Sequence, residues 1–283
     1  MKEVVISSKK GVELWSTLSS VFKQLFLIKL FVKRDFNTYY KQTILGPFWF
    51  FIQPIFTMLV YVLIFGKIAG IGTGAIPQSL FYLSGIICWT YFSENTIKIS
   101  TTFLENAHIF GKVYFPRIIM PIANMLTAYI KLFVQLGLLI VVLIFQGFEH
   151  LNHSWTILFF PVVFVFLGIL STGFGIMTSA LTTKYRDLKF LVQFGVQLLM
   201  YLSAVIWPFS SLEKMLGEKY VLIYELSYYN PITHFIEGFR YFLFGEGFFD
   251  VAWFSYSCIF SVGLFLGATA IFTRVEKDFM DTI

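Results

Sequence analysis

The chain has 283 residues, of which 57% are hydrophobic and only 13% charged. That charge content is well below the ~25% typical of soluble domains, which excludes a soluble fold. The net charge of +5 comes from segments flanking the apolar runs, so it gives no reason to expect a nucleic-acid partner.

Apolar runs occupy roughly residues 47–66, 79–97, 118–146, 156–182, 190–208 and 250–273. Each is close to or above the ~20 residues a helix needs to cross ~30 Å of hydrocarbon. We therefore expect an all-α integral membrane protein with six transmembrane helices. Two units are expected: a leader over residues 1–46 and a transmembrane domain over 47–283.

The leader carries Lys2, Lys9, Lys10, Lys23, Lys29, Lys33 and Arg34 without the apolar core and small-residue site of a cleavable signal. Over residues 13–33, Leu14, Leu18, Val21, Phe22, Leu25 and Phe26 recur at helical spacing among those cations. This pattern predicts a basic amphipathic helix lying on the membrane surface. Gly46-Pro47 should open the first span, and Pro54 should kink it. The glycine-rich stretch from Gly66 to Gln78 reads as a turn, because no βαβ unit surrounds Gly70-Ile71-Gly72-Thr73-Gly74.

Beyond the second run, Thr101–Phe110 is expected to form a short amphipathic helix, with Phe103, Ala107 and Phe110 on one side and Glu105 on another. The next charged loop is Lys184-Tyr185-Arg186-Asp187-Leu188-Lys189. Residues 209–250 are too long for a turn and too apolar for a disordered loop. Asn230-Pro231 should start a helix that Gly245 ends, giving an outer re-entrant helical hairpin between helices 5 and 6. Asn152-His153-Ser154 matches a glycosylation sequon.

Charge placement predicts orientation. Lys98, Lys112, Arg117, Lys184, Arg186, Lys189, Arg274 and Lys277 join the leader on one side, while Lys67, Lys214, Lys219 and Arg240 fall on the other. Both termini should therefore be cytoplasmic.

No Walker A, HExxH, CxxC or GxSxG pattern occurs, and His108, His150, His153 and His234 are scattered. We expect neither an enzyme site nor a bound metal. Cys88 and Cys258 lie inside apolar runs and read as small packed hydrophobes.

The intramembrane polar residues are the chemical clue. Trp49, Gln53, Thr57, Tyr61 and Phe65 recur every four residues on the first helix, and Gln193, Gln197 and Tyr201 do so on the fifth. Asn124, Thr127, Lys131 and Gln135 form a third stripe around the single deep charge we identify. Such stripes face either an aqueous path or another helix. A mixture of rings and amides suits sugars: rings meet pyranose C–H faces, and amides exchange hydrogen bonds with hydroxyls. Gly263-xxx-Gly267, with Gly168, Ser171, Thr172 and Gly175, should be sites of close helix packing.

Several strings resemble one family in order. Arg34-Asp35, Tyr40-Lys41-Gln42-Thr43-Ile44-Leu45-Gly46-Pro47-Phe48-Trp49 and Gln53-Pro54 resemble the approach to the first span of polysaccharide-exporting ABC-2 permeases. Lys112-Val113-Tyr114-Phe115-Pro116-Arg117, Tyr185-Arg186-Asp187-Leu188, Tyr229-Asn230-Pro231 and Glu237-Gly238-Phe239-Arg240 resemble later segments of the same family. The nearest subgroup is the O-antigen (lipopolysaccharide) exporters.

The resemblance implies a homodimer in the bacterial inner membrane with two copies of a separate ABC ATPase subunit. ATP and Mg would be bound by that partner, with no cofactor in this chain. The substrate implied is a glycan on a polyprenyl pyrophosphate lipid. Trp49, Gln53, Thr57, Tyr61, Gln193, Gln197 and Tyr201 would line its channel. Glu105, Asn106 and Lys112 would couple to the ATPase. Arg34 and Lys41 at the leader would receive the pyrophosphate by charge-assisted hydrogen bonds. The alternatives are a teichoic-acid or capsular polysaccharide exporter, a secondary transporter, and a membrane-embedded glycan or lipid transferase.

Overall fold

The computed structural model describes residues 21, 24–40, 44–110, 115–216 and 221–275. Among them all regular structure is helical. In chain order the helices are α1 (Leu25–Tyr40), α2 (Trp49–Tyr61), α3 (Gln78–Glu105), α4 (Ala107–Phe110), α5 (Ile119–Gln146) and α6 (Phe160–Lys184). Then follow α7 (Leu188–Leu199), α8 (Phe209–Leu216), α9 (Val221–Tyr228), α10 (Pro231–Phe244) and α11 (Val251–Val275).

Among the described residues four segments are long and apolar enough to cross a membrane: Trp49–Ile68, Ile119–Gln146, Trp155–Thr183 and Val251–Thr273. The other two expected spans differ, for different reasons. Helix α3 has 28 residues, ~42 Å at ~1.5 Å per residue, but it is too polar to stand among these four. It is the central helix, packed against α2, α5, α6, α7 and α10. Its polar groups are spent on neighbours: Asn95 donates to Ser171 Oγ at 2.6 Å, Thr96 to the Ser171 carbonyl, and Asn124 of α5 to Thr102 Oγ1. A helix surrounded by protein does not need an apolar surface all round.

The fifth run, expected over 190–208, is helical only over Leu188–Leu202, ~22 Å. The chain then runs non-helically through Ser203 to Pro208, and the side chains of Ser203, Ala204, Val205 and Ile206 are buried. Non-helical backbone is tolerated in a membrane domain only where protein satisfies its polar groups. Asn230 Nδ2 donates to the Leu202 carbonyl at 3.1 Å and to Ser203 Oγ at 3.0 Å. Arg240 donates to the carbonyls of Ala204 and Val205.

Helix α10 matches its expected bounds. Pro231 sits in its first turn, Asn230 accepts from the Ile232 N–H, and Gly245 ends it at φ 74°. It is buried nearly all round against α3, α6 and α11.

Several other expectations are corrected. The leader helix does not stop near residue 33 but continues through Arg34 and Asp35 to Tyr40, with Phe31 packed against Phe115. The portion of the expected 13–33 helix before residue 21 lies outside the described residues. Thr101–Glu105 is the last turn of α3 rather than part of a separate helix, because Ile99 and Phe103 are buried in the core there. Phe103 stacks on Phe272 of α11.

Asn152 of the sequon is engaged in the fold: its Nδ2 donates to Thr156 Oγ1 at 2.9 Å and to the Tyr241 and Phe242 carbonyls. Gly175 does pack closely, since a Cβ there would lie 2.6 Å from Ile99 Cβ, but Cβ atoms at Gly263 and Gly267 would meet nothing. Those two glycines are exposed among the described residues, and α11 packs on Gly173 of α6 instead.

Candidate functional site

The four-residue spacing on α2 turns Gln53, Thr57 and Tyr61 toward α3, where they share a cleft with Trp89, Ser93 and Glu94. Met200 and Val205 from the end of the fifth run close one side. Tyr61 donates to Met200 Sδ at 3.5 Å and meets Tyr82 edge-on. The Thr57 hydroxyl donates back to the Gln53 carbonyl at 2.9 Å, which satisfies it within the helix. Trp49, from the same expected stripe, lies outside this cleft and is 50% exposed.

The fifth-run stripe is divided. Gln193 lines a second cleft with Lys98, Glu105, Lys131 and Lys189. Gln197 and Tyr201 line neither cleft; Gln197 is exposed on α7 beside Phe194 and Leu198, and Tyr201 on the 3-10 turn Met200–Leu202 that follows it.

The α5 stripe faces α3. Near the middle of both helices, Lys131 Nζ donates to the two oxygens of Glu94 at 2.6 and 2.7 Å. Asn124, Thr127 and Gln135 line a small cavity beside this pair, together with Asp35 of α1. Lys131 is therefore not a solitary deep charge. Sequence reasoning passed over Glu94, although a carboxylate inside the 79–97 run was a signal of the same kind.

At the end of the bundle where α3 finishes, Glu105 accepts from Lys98 Nζ at 2.9 Å and from Thr101 Oγ1 at 2.8 Å. Asn106 ends the helix, its Nδ2 donating to the Thr102 carbonyl at 2.8 Å. Arg34 is paired with its neighbour, Nε to Asp35 Oδ1 at 2.8 Å, and its guanidinium lies over Phe31. Lys41 and Lys112 lie outside the described residues.

At the opposite end, Glu237 and Arg240 form a completely buried pair at 2.9 Å. Glu237 also accepts from the Phe209 and Phe248 N–H groups. Arg240 reaches α3 through the Phe81 carbonyl at 3.2 Å, with its guanidinium 3.5 Å from the Phe81 ring centroid. The space for it comes from Gly85, where a Cβ would stand 2.7 Å from Arg240 Nη2.

Apolar helices of membrane length surrounding clefts lined by amides, hydroxyls and an ion pair mark a multi-pass membrane protein. A family model described as "ABC-2 type transporter" matches residues 26–244. The chain belongs to the ABC-2 type transporter family. It is 25% identical over 259 residues to an O-antigen export system permease protein RfbA of Klebsiella pneumoniae, covering 91% of this chain and 95% of that one. A permease of the same name from Myxococcus xanthus is 23% identical over 252 residues, covering 89% and 93%.

Proposed function

We propose that the chain is the permease subunit of an ATP-driven exporter that moves a polyprenyl-pyrophosphate-linked polysaccharide, in the manner of O-antigen, across the bacterial inner membrane. The observation that carries this reading is the cleft of Gln53, Thr57 and Tyr61 against α3, together with amides left exposed on α7. Gln193 and Gln197 sit on a helix whose remaining outward residues, Phe190, Leu191, Phe194 and Leu198, are apolar. An amide turned to hydrocarbon is costly, so this face calls for a water-filled path or a second protein surface. Two copies of the chain, with α2 and α7 of each turned toward a shared path, meet that requirement. The names of the relatives favour a lipopolysaccharide glycan over teichoic acid or capsule. In this reading α3 and α7 complete six crossings and both termini are cytoplasmic.

ATP and Mg belong to a separate ATPase, two copies of which dock near Glu105, Asn106 and Lys112. Arg34 and Lys41 lie on the approach of the anionic lipid. Arg34 already shares its guanidinium with Asp35, so a pyrophosphate must compete with that carboxylate.

The test is purification of the tagged chain from its host in mild detergent, with mass spectrometry of what accompanies it. A stoichiometric partner carrying a Walker A sequence, with surface glycan lost on deletion of this chain, is the expected result. Recovery of the chain alone from membranes that preserve other complexes, with surface glycan intact after deletion, overturns the reading.

A further inference from the structure

The Glu94–Lys131 pair is asymmetric. The Lys131 side chain is 15% exposed and that of Glu94 43%, so the cation is held inside the protein while the anion looks out. Lys131 Nζ is further sheltered over the Phe50 ring at 5.5 Å. Glu94 opens onto both clefts, one with Gln53, Thr57, Tyr61 and Ser93, the other with Lys98 and Gln193. A carboxylate has about four acceptor sites. The lysine approaches from one side, which leaves acceptor capacity directed at the cleft. A carboxylate open to hydrocarbon at this depth is unfavourable, whereas a cleft walled by hydroxyls, an amide and rings suits a hydrated occupant.

The chemistry of that occupant follows from the charges. Among the described residues lining the cleft of Gln53, Thr57 and Tyr61, Glu94 alone is charged; it turns away an anion, and Lys131 balances it, so no net charge draws a cation there. What remains is a neutral polyhydroxyl group that donates O–H bonds to Glu94 and lays a C–H face on the rings of Tyr61 or Trp89.

We propose that Glu94 is a glycan-contacting residue of the path, accepting hydrogen bonds from sugar hydroxyls, and that Lys131 is the positioning residue that aims its carboxylate. This rests on the exporter reading and adds α3 to the helices that meet the sugar.

The test uses the whole exporter in a host deleted for its own permease. The variants are Glu94→Gln, Lys131→Met and the double variant, with a photoreactive residue placed in turn at Ser93, at Gln197 and at the outward-facing Phe133. The double variant removes both charges, so a purely structural pair predicts recovery of assembly and export together. We expect it to assemble at wild-type levels while export falls about tenfold, the loss of one charge-assisted hydrogen bond. Glu94→Asp should recover part of that loss. We also expect glycan adducts at Ser93 and none at Phe133. Wild-type export by the double variant overturns the proposal, as do adducts at Gln197 with none at Ser93; in both cases the exporter reading stands. Intact surface glycan in the deletion host removes the exporter reading and this proposal with it.

Discussion

Arg240 Nη1 donates to the Ala204 carbonyl at 2.6 Å, across 36 residues and from a fully buried side chain. The bond joins α10 to the point where the fifth run stops being helical. Glu237, one turn before Arg240, holds the guanidinium in place, and Gly85 leaves room for it. The broken end of the fifth run and α10 are thus one structural unit.

Arg240→Met should cost about 3–5 kcal/mol, because it strands a buried carboxylate and several carbonyls. The thermal midpoint of the detergent-solubilised chain, followed by fluorescence-detected size exclusion, should fall sharply. Arg240→Met with Glu237→Leu should recover part of the loss, since no unpaired charge then remains. A single variant as stable as wild type would show that the pair contributes no stability.

Helix α6 touches α3 at Gly175, where a Cβ would stand 2.6 Å from Ile99 Cβ and 3.2 Å from the Thr96 carbonyl. Gly175→Ala should destabilise by about 1–3 kcal/mol through overpacking. Gly263→Ala and Gly267→Ala, whose Cβ atoms would meet nothing within 4 Å among the described residues, should leave the isolated subunit's midpoint unchanged. Equal effects at all three positions would contradict this packing.

Tyr61 and Trp49 share a helical stripe but not a cleft. Tyr61→Ala should lower surface glycan about two- to tenfold, the loss of one ring contact, while the ATPase still co-purifies. Trp49→Ala should lower it less if α2 meets substrate only through the cleft. The reverse order, measured at matched expression, would place the path on the outward face of α2 instead.

Lys98 and Glu105 are paired at 2.9 Å with side chains 49% and 48% exposed. Such a pair contributes under about 1 kcal/mol to stability, so Glu105→Ala should fold normally. Loss of ATPase binding or of export in that variant, with an unchanged thermal midpoint, would assign Glu105 to coupling. Wild-type export would leave it as a surface residue.

The sequence was sufficient where a local signal decides the outcome. Apolar runs located α2, α5, α6 and α11, because their outer faces are not covered by the described residues and need apolar residues. Asn230, Pro231 and Gly245 set the bounds of α10, because a side-chain cap, a fixed φ and a left-handed glycine act within a few residues. The four-residue stripe on α2 placed Gln53, Thr57 and Tyr61 on one face.

Tertiary structure decided what depends on a distant neighbour. Hydropathy does not single out α3, whose polar side chains are answered by Ser171 of α6 and Asn124 of α5. The fifth run stops at Leu202 because Asn230 and Arg240 can satisfy the backbone that follows. Lys131 became intelligible only once Glu94, 37 positions away, stood beside it. A run of apolar residues states how a segment meets lipid. Whether a buried amide, carbonyl or charge is tolerated is set by the group opposite it, and long-range folding chooses that group.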